Sequence, residues 1–475
     1  MDILLLHKAY YSEDFRTRGH QLIDQLADHL ESQINEENSH TLDWHIPADE
    51  HVFWNEFLTN GDENEIFAQI LKRITSVHNP KYIGHQVTPT APITALTAMI
   101  SGLLNNGMAV YEMGMAPTAM ERIVTDLLCK KVGYNTESRG FLTSGGTLAN
   151  LTALLSARKA KVENDIWNEG YDKTLGIIVS EEAHYCVDRA AKIMGLGEKG
   201  IIKIPATEDF KMDTSLLEVE FKKASANGIQ VFAIVGSAPS TATGIYDNLE
   251  AIAAFAKKYD LWFHVDGAHG GAVIFSTKYK HTVGGIEHAD SVVIDGHKMM
   301  MMPTITTARL FKNGNHSHAT FSQKADYLLL QSDDEDWYNL AKRTFECTKT
   351  MMSIHWYTML KVYGEEIFDA YVTNQYDLAH HFAKMIKNDS KLELAVAPMA
   401  NIVCFRYVDD TFDLETSNKM NAGIRQQLLE DGEFYIVQTK LRGIQYMRTT
   451  IMNPFTTVRH FESLMAKINN IAENL

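Results

Sequence analysis

The sequence predicts an α/β protein: a main domain with a mostly parallel sheet, a helical N-terminal arm and a smaller α+β C-terminal domain. From about residue 140, short β-rich runs alternate with longer helical segments, which is typical of strand–helix–strand crossovers. The first 80 residues are polar with a helical pattern, and after about residue 350 amphipathic helices precede two strand-like runs. We therefore expect domains over residues 1–88, 89–348 and 349–475.

The predicted elements follow from hydrophobic periodicity. In the arm, "HQLIDQLADHLESQI" places Leu22, Ile23, Leu26 and Leu30 at helical spacing. The predicted strands of the main domain are "LGIIVS" (175–180), "IIKIP" (201–205), "IQVFAIVGS" (229–237), "LWFHVD" (261–266), "SVVID" (291–295) and "TTARLF" (306–311). In the C-terminal domain, the helical run "MMSIHWYTMLKVYG" precedes the strands "NIVCFRY" (401–407) and "IQYMRTTIM" (444–452), and the acidic run 331–337 is expected to be an exposed loop.

Composition excludes several classes of function. The formal charge of −16 repels a phosphate backbone and no Lys/Arg-rich block offsets it, so nucleic acid is not the expected partner. The four cysteines are far apart in the sequence and form no C-x-x-C, which is typical of a reducing compartment. The start "MDILLLHKAY" is unlike a signal peptide and no apolar run reaches 18 residues, so we expect a cytoplasmic protein with no membrane partner.

One glycine-rich turn has the features of a phosphate site. In "FLTSGGTLANLTALLSARKA" a strand-like start runs through Ser144, Gly145, Gly146 and Thr147 into a helix. Backbone amides at a helix N-terminus, together with small residues, bind phosphate. A Ser-Gly-Gly turn is also a common way to begin a helix, so this motif alone leaves both interpretations open.

Two further residues fall at the ends of predicted strands. Asp266 ends "LWFHVD", and Lys298 follows "SVVID" in "SVVIDGHKMMMMP", so parallel strands bring both to the crevice where α/β sheets bind ligands. The alternative role for Asp266 is a helix cap. We expect partial desolvation to lower the pKa of Lys298 and to make it a nucleophile. His264, Asp266 and His269 have no third histidine at ligand-like spacing, so we expect no metal.

A phosphate-binding turn, a carboxylate for a ring nitrogen and a lysine for a Schiff base are together what pyridoxal 5′-phosphate requires. The chain resembles the group II pyridoxal-phosphate decarboxylases. Within this family it is more similar to the animal glutamate and cysteine sulfinate decarboxylases than to the aromatic-L-amino-acid decarboxylases. The motifs that resemble the family, in its order, are "YEMGMAPTAMER" (111–122), "TSGGTLANL" (143–151), "SEEAHYCVDRAAKIMGLG" (180–197), "HVDGAHGG" (264–271), "GIEHADSVVIDGHKMM" (285–300), "ECTK" (346–349) and "MRTTIMNPFTT" (447–457). The resemblance implies a fold type I, aspartate aminotransferase-like structure, a homodimer and decarboxylation of a small L-amino acid.

The resemblance also implies roles for individual residues. Lys298 is similar to the Schiff-base lysine, Asp266 to the aspartate that pairs with the ring nitrogen, and His184 to the histidine stacked on the ring. Further residues that resemble the family's cofactor-binding positions are Ser144, Gly145, Gly146, Thr147, Ser240, Thr241, Ala268 and His297. Arg448 is similar to an arginine that holds the substrate's α-carboxylate, and Tyr82 and His85 lie in the segment that touches its side chain. His184, His85 and Arg448 each have an ordinary structural alternative.

Three positions depart from the family pattern. Asp295-Gly296 replaces the usual Asn-Pro or Asp-Pro before the His-Lys pair, and Pro239 stands where glycine is common. The mobile catalytic loop is shorter than usual, which leaves Tyr338 as the nearest counterpart of its catalytic tyrosine. The resemblance implies that the 331–340 loop reaches the neighbouring subunit's cofactor.

Other activities on the same scaffold stay open. Loss of the loop tyrosine is associated in this family with aldehyde synthesis, so an aldehyde synthase or a carbon–carbon lyase is the main alternative. A transaminase is disfavoured by the His-Lys context, and a non-catalytic binding module by the presence of both Lys298 and Asp266. For the substrate we expect an acidic side chain slightly ahead of an aliphatic or aromatic one.

Overall fold

A computed structural model of the chain describes residues 3–321 and 337–475. The described residues form two compact units. The larger unit comprises Gln86–Ala383 and Val396–Val403, and the smaller comprises Met1–His85, Lys384–Ala395 and Cys404–Leu475. Both ends of the chain therefore contribute to the smaller unit. The acidic run 331–336 lies outside the described residues.

The strands of the described residues form two sheets. They are β1 (Arg139–Thr143), β2 (Thr174–Ser180), β3 (Ile201–Ile204), β4 (Ile229–Ser237), β5 (Trp262–Asp266), β6 (Ser291–Asp295), β7 (Thr307–Phe311), β8 (Leu392–Leu394), β9 (Ile402–Tyr407), β10 (Val437–Leu441) and β11 (Ile444–Thr450). The larger sheet has the order β1-β7-β6-β5-β4-β2-β3. Strands β2 to β6 pair in parallel, and β7 is antiparallel to both of its neighbours. The prediction of a mostly parallel sheet is confirmed.

The six β-rich runs predicted for the main domain form β2 to β7. Every residue of β5 and β6 is buried, as expected where both faces of a sheet are covered. In the second sheet, of order β10-β11-β9-β8, the predicted strands form β9 and β11. Strands β8 and β10 were not predicted. In β10 only Val437 and Leu441 are buried, so its sequence "VQTKL" carries little hydrophobic signal.

The helices have the bounds α1 (Ile3–Lys8), α2 (Ser12–Ile34), α3 (Pro47–Asn60), α4 (Ile66–Lys72), α5 (Pro92–Leu104), α6 (Tyr111–Val132), α7 (Gly146–Lys161), α8 (Ile166–Glu169), α9 (Tyr185–Ile193), α10 (Leu217–Ala226), α11 (Leu249–Lys258), α12 (Gly296–Met299), α13 (Asn315–Phe321), α14 (Ser353–Tyr363), α15 (Glu366–Lys387), α16 (Leu414–Asp431) and α17 (Val458–Asn474). Helices α1 to α4 confirm the helical character of the N-terminal segment. Within the described ranges, none of the helices is both long and apolar enough to span a membrane.

The parallel register aligns the strand ends that carry the predicted site residues. Asp266 of β5 is paired with Ser237 of β4 and with Val293 of β6. The carboxyl ends of these three strands therefore lie side by side at one edge of the sheet.

Helix α7 is anchored to the sheet by its apolar side. Leu151 and Leu154 of α7 and Val187 of α9 share one buried hydrophobic cluster with Ile177 of β2 and Val235 of β4. Removal of this apolar surface from water stabilises the helix position. The N-terminus of α7 is consequently fixed near the edge where β5 and β6 end.

Candidate active site

A cavity of about 440 Å³ opens within the larger unit. It lies where β5 and β6 end and where α7 begins. Its walls consist of Ser144, Gly145, Gly146, Thr147, Asn150, His184, Cys186, Arg189, Pro239, Thr241, Asp266, Ala268, His269, Asp295, His297, Lys298 and Ile305. The structure thus brings together most of the cofactor residues predicted from the sequence.

The turn before α7 requires glycine. Gly145 has φ +96°, a conformation that side-chain-bearing L-residues rarely adopt. A Cβ added at Gly146 would lie 3.1 Å from Asp295 Oδ2 and 3.3 Å from the Cβ of Ala268. The first amides of a helix have no partner within the helix, so this close turn presents them to the cavity.

Part of the turn is held by Glu346, the first residue of the "ECTK" motif, for which no role was predicted from the sequence. Its Oε1 accepts hydrogen bonds from the Ser144 amide at 3.0 Å and from Thr143 Oγ1 at 2.6 Å. Burial raises the pKa of Glu346, but these hydrogen bonds outweigh it and the pKa is lowered overall. The Ser144 amide is therefore occupied by a carboxylate, and the amides of α7 itself remain as phosphate donors.

Asp266 is buried at the end of β5 and is oriented by two donors. Its Oδ2 accepts a hydrogen bond from Asn150 Nδ2 at 3.0 Å, and its Oδ1 accepts one from the Ala268 amide at 3.2 Å.

His184 lies at the start of α9, and its Nδ1 accepts a hydrogen bond from the Cys186 amide at 3.3 Å. The pKa of His184 is lowered, chiefly by burial, which keeps its ring neutral and suited to stacking.

Lys298 corrects one prediction. Its Nζ lies 3.0 Å from Oδ2 of Asp295, a carboxylate whose side chain is 1% exposed. Burial alone lowers the pKa of Lys298, but the charge and hydrogen bond of Asp295 and the charge of Asp266 outweigh it, and the pKa is raised. The expectation of a lowered pKa was wrong because the short distance from Lys298 to Asp295 is set by the fold and cannot be read from the order of residues.

The neighbours of Lys298 complete this wall. His297 Nδ1 lies 3.0 Å from the Thr306 carbonyl, and its Nε2 lies 3.6 Å from Asp295 Oδ2. Thr307 Oγ1 donates to Asp295 Oδ1 at 2.6 Å. The buried carboxylate of Asp295 therefore organises both members of the His-Lys pair.

Two predicted residues of the larger unit, Ser240 and Tyr338, do not line the cavity. Ser240 is buried, and its hydroxyl is 2.8 Å from Thr243 Oγ1, while Pro239 and Thr241 line the cavity. The Tyr338 ring packs edge-on against Tyr111, with 5.7 Å between ring centroids.

Tyr82, His85 and Arg448 belong to the smaller unit. Tyr82 stacks on Tyr435 with 5.3 Å between centroids, and the ring of His85 is 5.7 Å from the same tyrosine. His85 is exposed, and its pKa is lowered by partial desolvation and then by the positive charges of Arg448 and Arg425. Burial lowers the pKa of Arg448. The two arginine charges make the surroundings of His85 electropositive.

Several residues of the cavity wall were missed as site residues. Asn150 falls four positions after Gly146 and so lies on the same face of α7, which is a signal that helical periodicity contains. Asp295 ends β6 as Asp266 ends β5. Cys186, Arg189 and His269 carry no such signal, because only the packing of α9 and of the segment after β5 brings them to the cavity.

The residues present fit pyridoxal phosphate. A helix N-terminus with a positive-φ glycine matches a phosphate, and a buried carboxylate matches a ring nitrogen. Lys298 supplies an amine, and the small Ala268 leaves space for a flat ring. The cavity volume of about 440 Å³ is in the range of small cofactor sites.

Comparison with known proteins identifies the family of the chain. Residues 59–408 match the family described as the pyridoxal-dependent decarboxylase conserved domain. The chain is 29% identical to L-2,4-diaminobutyrate decarboxylase of Acinetobacter baumannii, over 85% of this chain and 82% of that protein. It is 27% identical to aspartate 1-decarboxylase of Aliivibrio fischeri, over 84% and 81% of the two chains.

A solved structure is similar as well. The glutamate decarboxylase domain of diaminobutyrate-pyruvate transaminase and L-2,4-diaminobutyrate decarboxylase from Vibrio parahaemolyticus superposes with a TM-score of 0.83 at 27% identity. That match covers 95% of this chain and 96% of the other. The chain therefore belongs to the pyridoxal-dependent decarboxylase family and is an amino acid decarboxylase that uses pyridoxal phosphate.

Proposed function

We propose that the substrate is a short acidic L-amino acid, with L-aspartate as the first candidate and the corresponding amine and carbon dioxide as products. One observation carries this choice. In the smaller unit, His85 is an exposed residue whose pKa is lowered by partial desolvation and then by the positive charges of Arg448 and Arg425. Such electropositive surroundings favour anionic groups. The family resemblance assigns His85 and Tyr82 to the substrate side chain and Arg448 to the α-carboxylate.

The named relatives support a short side chain. Aspartate and 2,4-diaminobutyrate, which appear in the names of two relatives, both have four-carbon skeletons. L-2,4-diaminobutyrate is therefore the second candidate. Its side chain carries an ammonium group, so the charge preference of the enzyme distinguishes the two.

Pyridoxal phosphate, when bound, supplies a conjugated ring that accepts the electron pair released with carbon dioxide. In our proposal Gly146 and Thr147, at the start of α7, bind its phosphate through their amides, and Lys298 provides the amine of the covalent link. Asp266 would hold a proton at the ring nitrogen, and His184 would pack against the ring.

The remaining roles concern orientation and proton delivery. By the family resemblance, Arg448 would bind the α-carboxylate of the substrate, and Tyr338 would donate a proton to Cα after carbon dioxide leaves. Thr241 and His297, which line the cavity, assist in cofactor binding. Ser240 supports this wall through its contact with Thr243.

We propose that the enzyme is a cytoplasmic homodimer with domains at 1–88, 89–348 and 349–475. Helix α5 exposes several large apolar side chains, namely Leu96, Met99, Ile100, Leu103 and Leu104, which a second copy would cover. The four cysteines are free thiols, as is usual in a reducing compartment. Sedimentation at assay concentration tests the dimer, and a fully active monomer would contradict it.

The test of the substrate is a decarboxylation screen of L-aspartate, L-glutamate, cysteine sulfinate, L-2,4-diaminobutyrate and the aromatic amino acids. We expect the highest kcat/KM with L-aspartate. His85→Ala should raise the KM for aspartate by about tenfold, whereas the exposed His40→Ala in the same unit should not change it. Preference for diaminobutyrate would overturn the acidic assignment.

The same assays address the chemical alternative. A decarboxylase yields one amine and one carbon dioxide per substrate. An aldehyde synthase consumes dioxygen and water and yields carbon dioxide, ammonia, hydrogen peroxide and an aldehyde in place of the amine. We expect Tyr338→Phe to slow amine formation and to increase the aldehyde fraction. If aldehyde is the main product of the unmodified enzyme, aldehyde synthesis replaces simple decarboxylation as the activity.

A further inference from the structure

A continuous chain of buried hydrogen bonds ends on the carboxylate of Asp266. Trp262 Nε1 donates to Ser291 Oγ at 2.9 Å, and Ser291 Oγ lies 2.8 Å from His264 Nδ1. His264 Nε2 lies 2.8 Å from Asn150 Oδ1, and Asn150 Nδ2 donates to Asp266 Oδ2 at 3.0 Å. All five side chains are buried, and only Asn150 and Asp266 reach the cavity wall.

The fold explains how these residues meet. Positions 262, 264 and 266 alternate along β5, so their side chains point to the same face of the sheet. Ser291 opens the neighbouring strand β6 and is paired with His264 in the parallel register. Asn150 approaches from α7, which packs against this sheet through its apolar residues.

The residues at the two ends of this series of hydrogen bonds determine the direction in which every bond donates. An indole N–H only donates and a carboxylate only accepts. Because the Asn150 amide nitrogen faces Asp266, its carbonyl faces His264, and Nε2 of His264 must carry the hydrogen. Nδ1 of His264 then accepts the hydroxyl hydrogen of Ser291, and the Ser291 oxygen accepts from Trp262. Each bond therefore has its donor on the Trp262 side and its acceptor on the Asp266 side.

A charged His264 does not fit this arrangement. With hydrogens on both ring nitrogens, Ser291 Oγ would face two donors, the ring and Trp262, and its own hydrogen would lose its acceptor. Burial, the largest influence, lowers the pKa of His264 to about 4, although the charge of Asp266 and a hydrogen bond to the Ser291 backbone act in the opposite direction. The ring therefore stays neutral at physiological pH and holds one tautomer.

We propose that Ser291, His264 and Asn150 are positioning residues that hold the Asp266 carboxylate in one orientation, ready to pair with the ring nitrogen of pyridoxal phosphate. A single donor direction along the chain prevents the Asn150 amide from turning its carbonyl toward Asp266. The inference rests on the proposed role of Asp266 and is independent of which amino acid is decarboxylated.

The test compares two substitutions of His264 in the full-length holoenzyme. His264→Leu removes both hydrogen bonds, whereas His264→Gln keeps a donor for Asn150 and an acceptor for Ser291. We expect His264→Leu to raise the cofactor dissociation constant and to lower kcat, each by about tenfold, with a smaller change in KM. It should also shift the pH profile of the cofactor absorbance. His264→Gln should restore most of each loss.

Ser156→Ala is the matched control. Ser156 is a buried hydroxyl of α7 that bonds Thr152 and Thr320 and does not line the cavity, so cofactor affinity and absorbance should not change. Equal losses in His264→Leu and His264→Gln would indicate simple packing and would overturn the proposal, as would an unchanged cofactor affinity in His264→Leu.

Ser291→Ala keeps the proposal testable if His264→Leu does not fold. It removes the donor to His264 Nδ1 and leaves the Asn150 contact of Nε2 in place. In ¹⁵N spectra of histidine-labelled holoenzyme, the Nδ1 signal of His264 should therefore shift toward that of a nitrogen that accepts no hydrogen bond, while Nε2 keeps its hydrogen. An unchanged His264 signal would contradict the assigned direction. Asp266→Asn distinguishes failure of the proposed role of Asp266 from failure of the hydrogen-bond proposal. Unchanged turnover in Asp266→Asn would contradict the role of Asp266 itself. Loss of turnover in Asp266→Asn, with no effect of the His264 and Ser291 substitutions, would contradict only the positioning role of the hydrogen-bonded residues.

Discussion

Lys298 Nζ lies 3.0 Å from Asp295 Oδ2 at the carboxyl edge of the larger sheet. The two residues are one helical turn apart, and the carboxylate is shielded from water. This contact raises the pKa of Lys298 although burial acts in the opposite direction. Lys298 must react as a free amine, but this contact favours its ammonium form. Asp295 therefore determines how readily Lys298 loses its proton.

Asp295→Asn should make Lys298 react faster with the cofactor near neutral pH. The substitution removes the charge that raises the pKa of Lys298 and leaves burial, which lowers it, so more neutral amine is present at a given pH. The rate of absorbance change after adding pyridoxal phosphate to cofactor-free enzyme is measured from neutral pH upward, through the range in which Lys298 loses its proton. Its midpoint should lie at lower pH in Asp295→Asn than in the unmodified enzyme. Thr307→Val removes a hydrogen bond to Asp295 but keeps its charge, so the midpoint should stay near that of the unmodified enzyme. A midpoint that moves to higher pH in Asp295→Asn would refute this account.

Lys298→Ala should abolish turnover and the absorbance of the covalently linked cofactor, with the fold preserved. The side chain supplies the reacting nitrogen and lines a cavity, so its loss removes little core packing. Circular dichroism checks the fold, and the exposed Lys257→Ala is the control. Near-native decarboxylation by Lys298→Ala would make the central assignment untenable.

Asp266→Asn should retain some cofactor but lose about 100-fold or more in kcat, because an amide does not hold a proton at the ring nitrogen. The fold should tolerate the change, since the Ala268 amide still finds an oxygen acceptor at position 266. Cofactor content by absorbance and kcat with saturating substrate are the measurements. Unchanged turnover would exclude a role for Asp266 in electron withdrawal.

Gly145→Ala should weaken cofactor binding and destabilise the protein by about 1 kcal/mol. The cause is the positive φ of +96° and not a clash, since the nearest atoms to an added Cβ are 3.7 Å away. Gly102→Ala in α5 has nothing within 4 Å of the added Cβ and no positive φ, so it should be neutral or stabilising. Equal effects of the two substitutions on cofactor affinity would contradict the proposed role of the turn.

Stability should fall on acidification in a way that depends on His264. Its pKa is about 4 in the folded protein and 6.5 in the reference state, so above pH 6.5 both states are neutral and no stability is lost. As the pH falls from 6.5 through about 4, the unfolded chain takes up a proton that the folded chain does not. This uptake lowers the free energy of unfolding by about 3 kcal/mol at most. His264→Gln should flatten this part of the curve in denaturant unfolding, whereas the exposed His288→Gln should not.

The sequence determined the sheet and the chemical type of the site. Continuous apolar runs such as "SVVID" form strands wherever helices cover both faces, and parallel strands place their carboxyl ends together. Asp266 and Lys298 were therefore assigned to one crevice from their positions alone. Strands β8 and β10 escaped prediction because they are short and carry few buried residues.

Only the tertiary structure decided the charge of Lys298 and the way Asp266 is held. His264 and Asn150 are 114 positions apart in the chain, and Thr143 and Glu346 are 203 apart, so no local pattern records their hydrogen bonds. Burial alone predicts a lysine that loses its proton easily, whereas a carboxylate 3.0 Å away reverses that result. Coulomb and hydrogen-bond energies change steeply over a few ångströms, and distances on that scale are fixed by packing between distant segments and not by the order of residues within one.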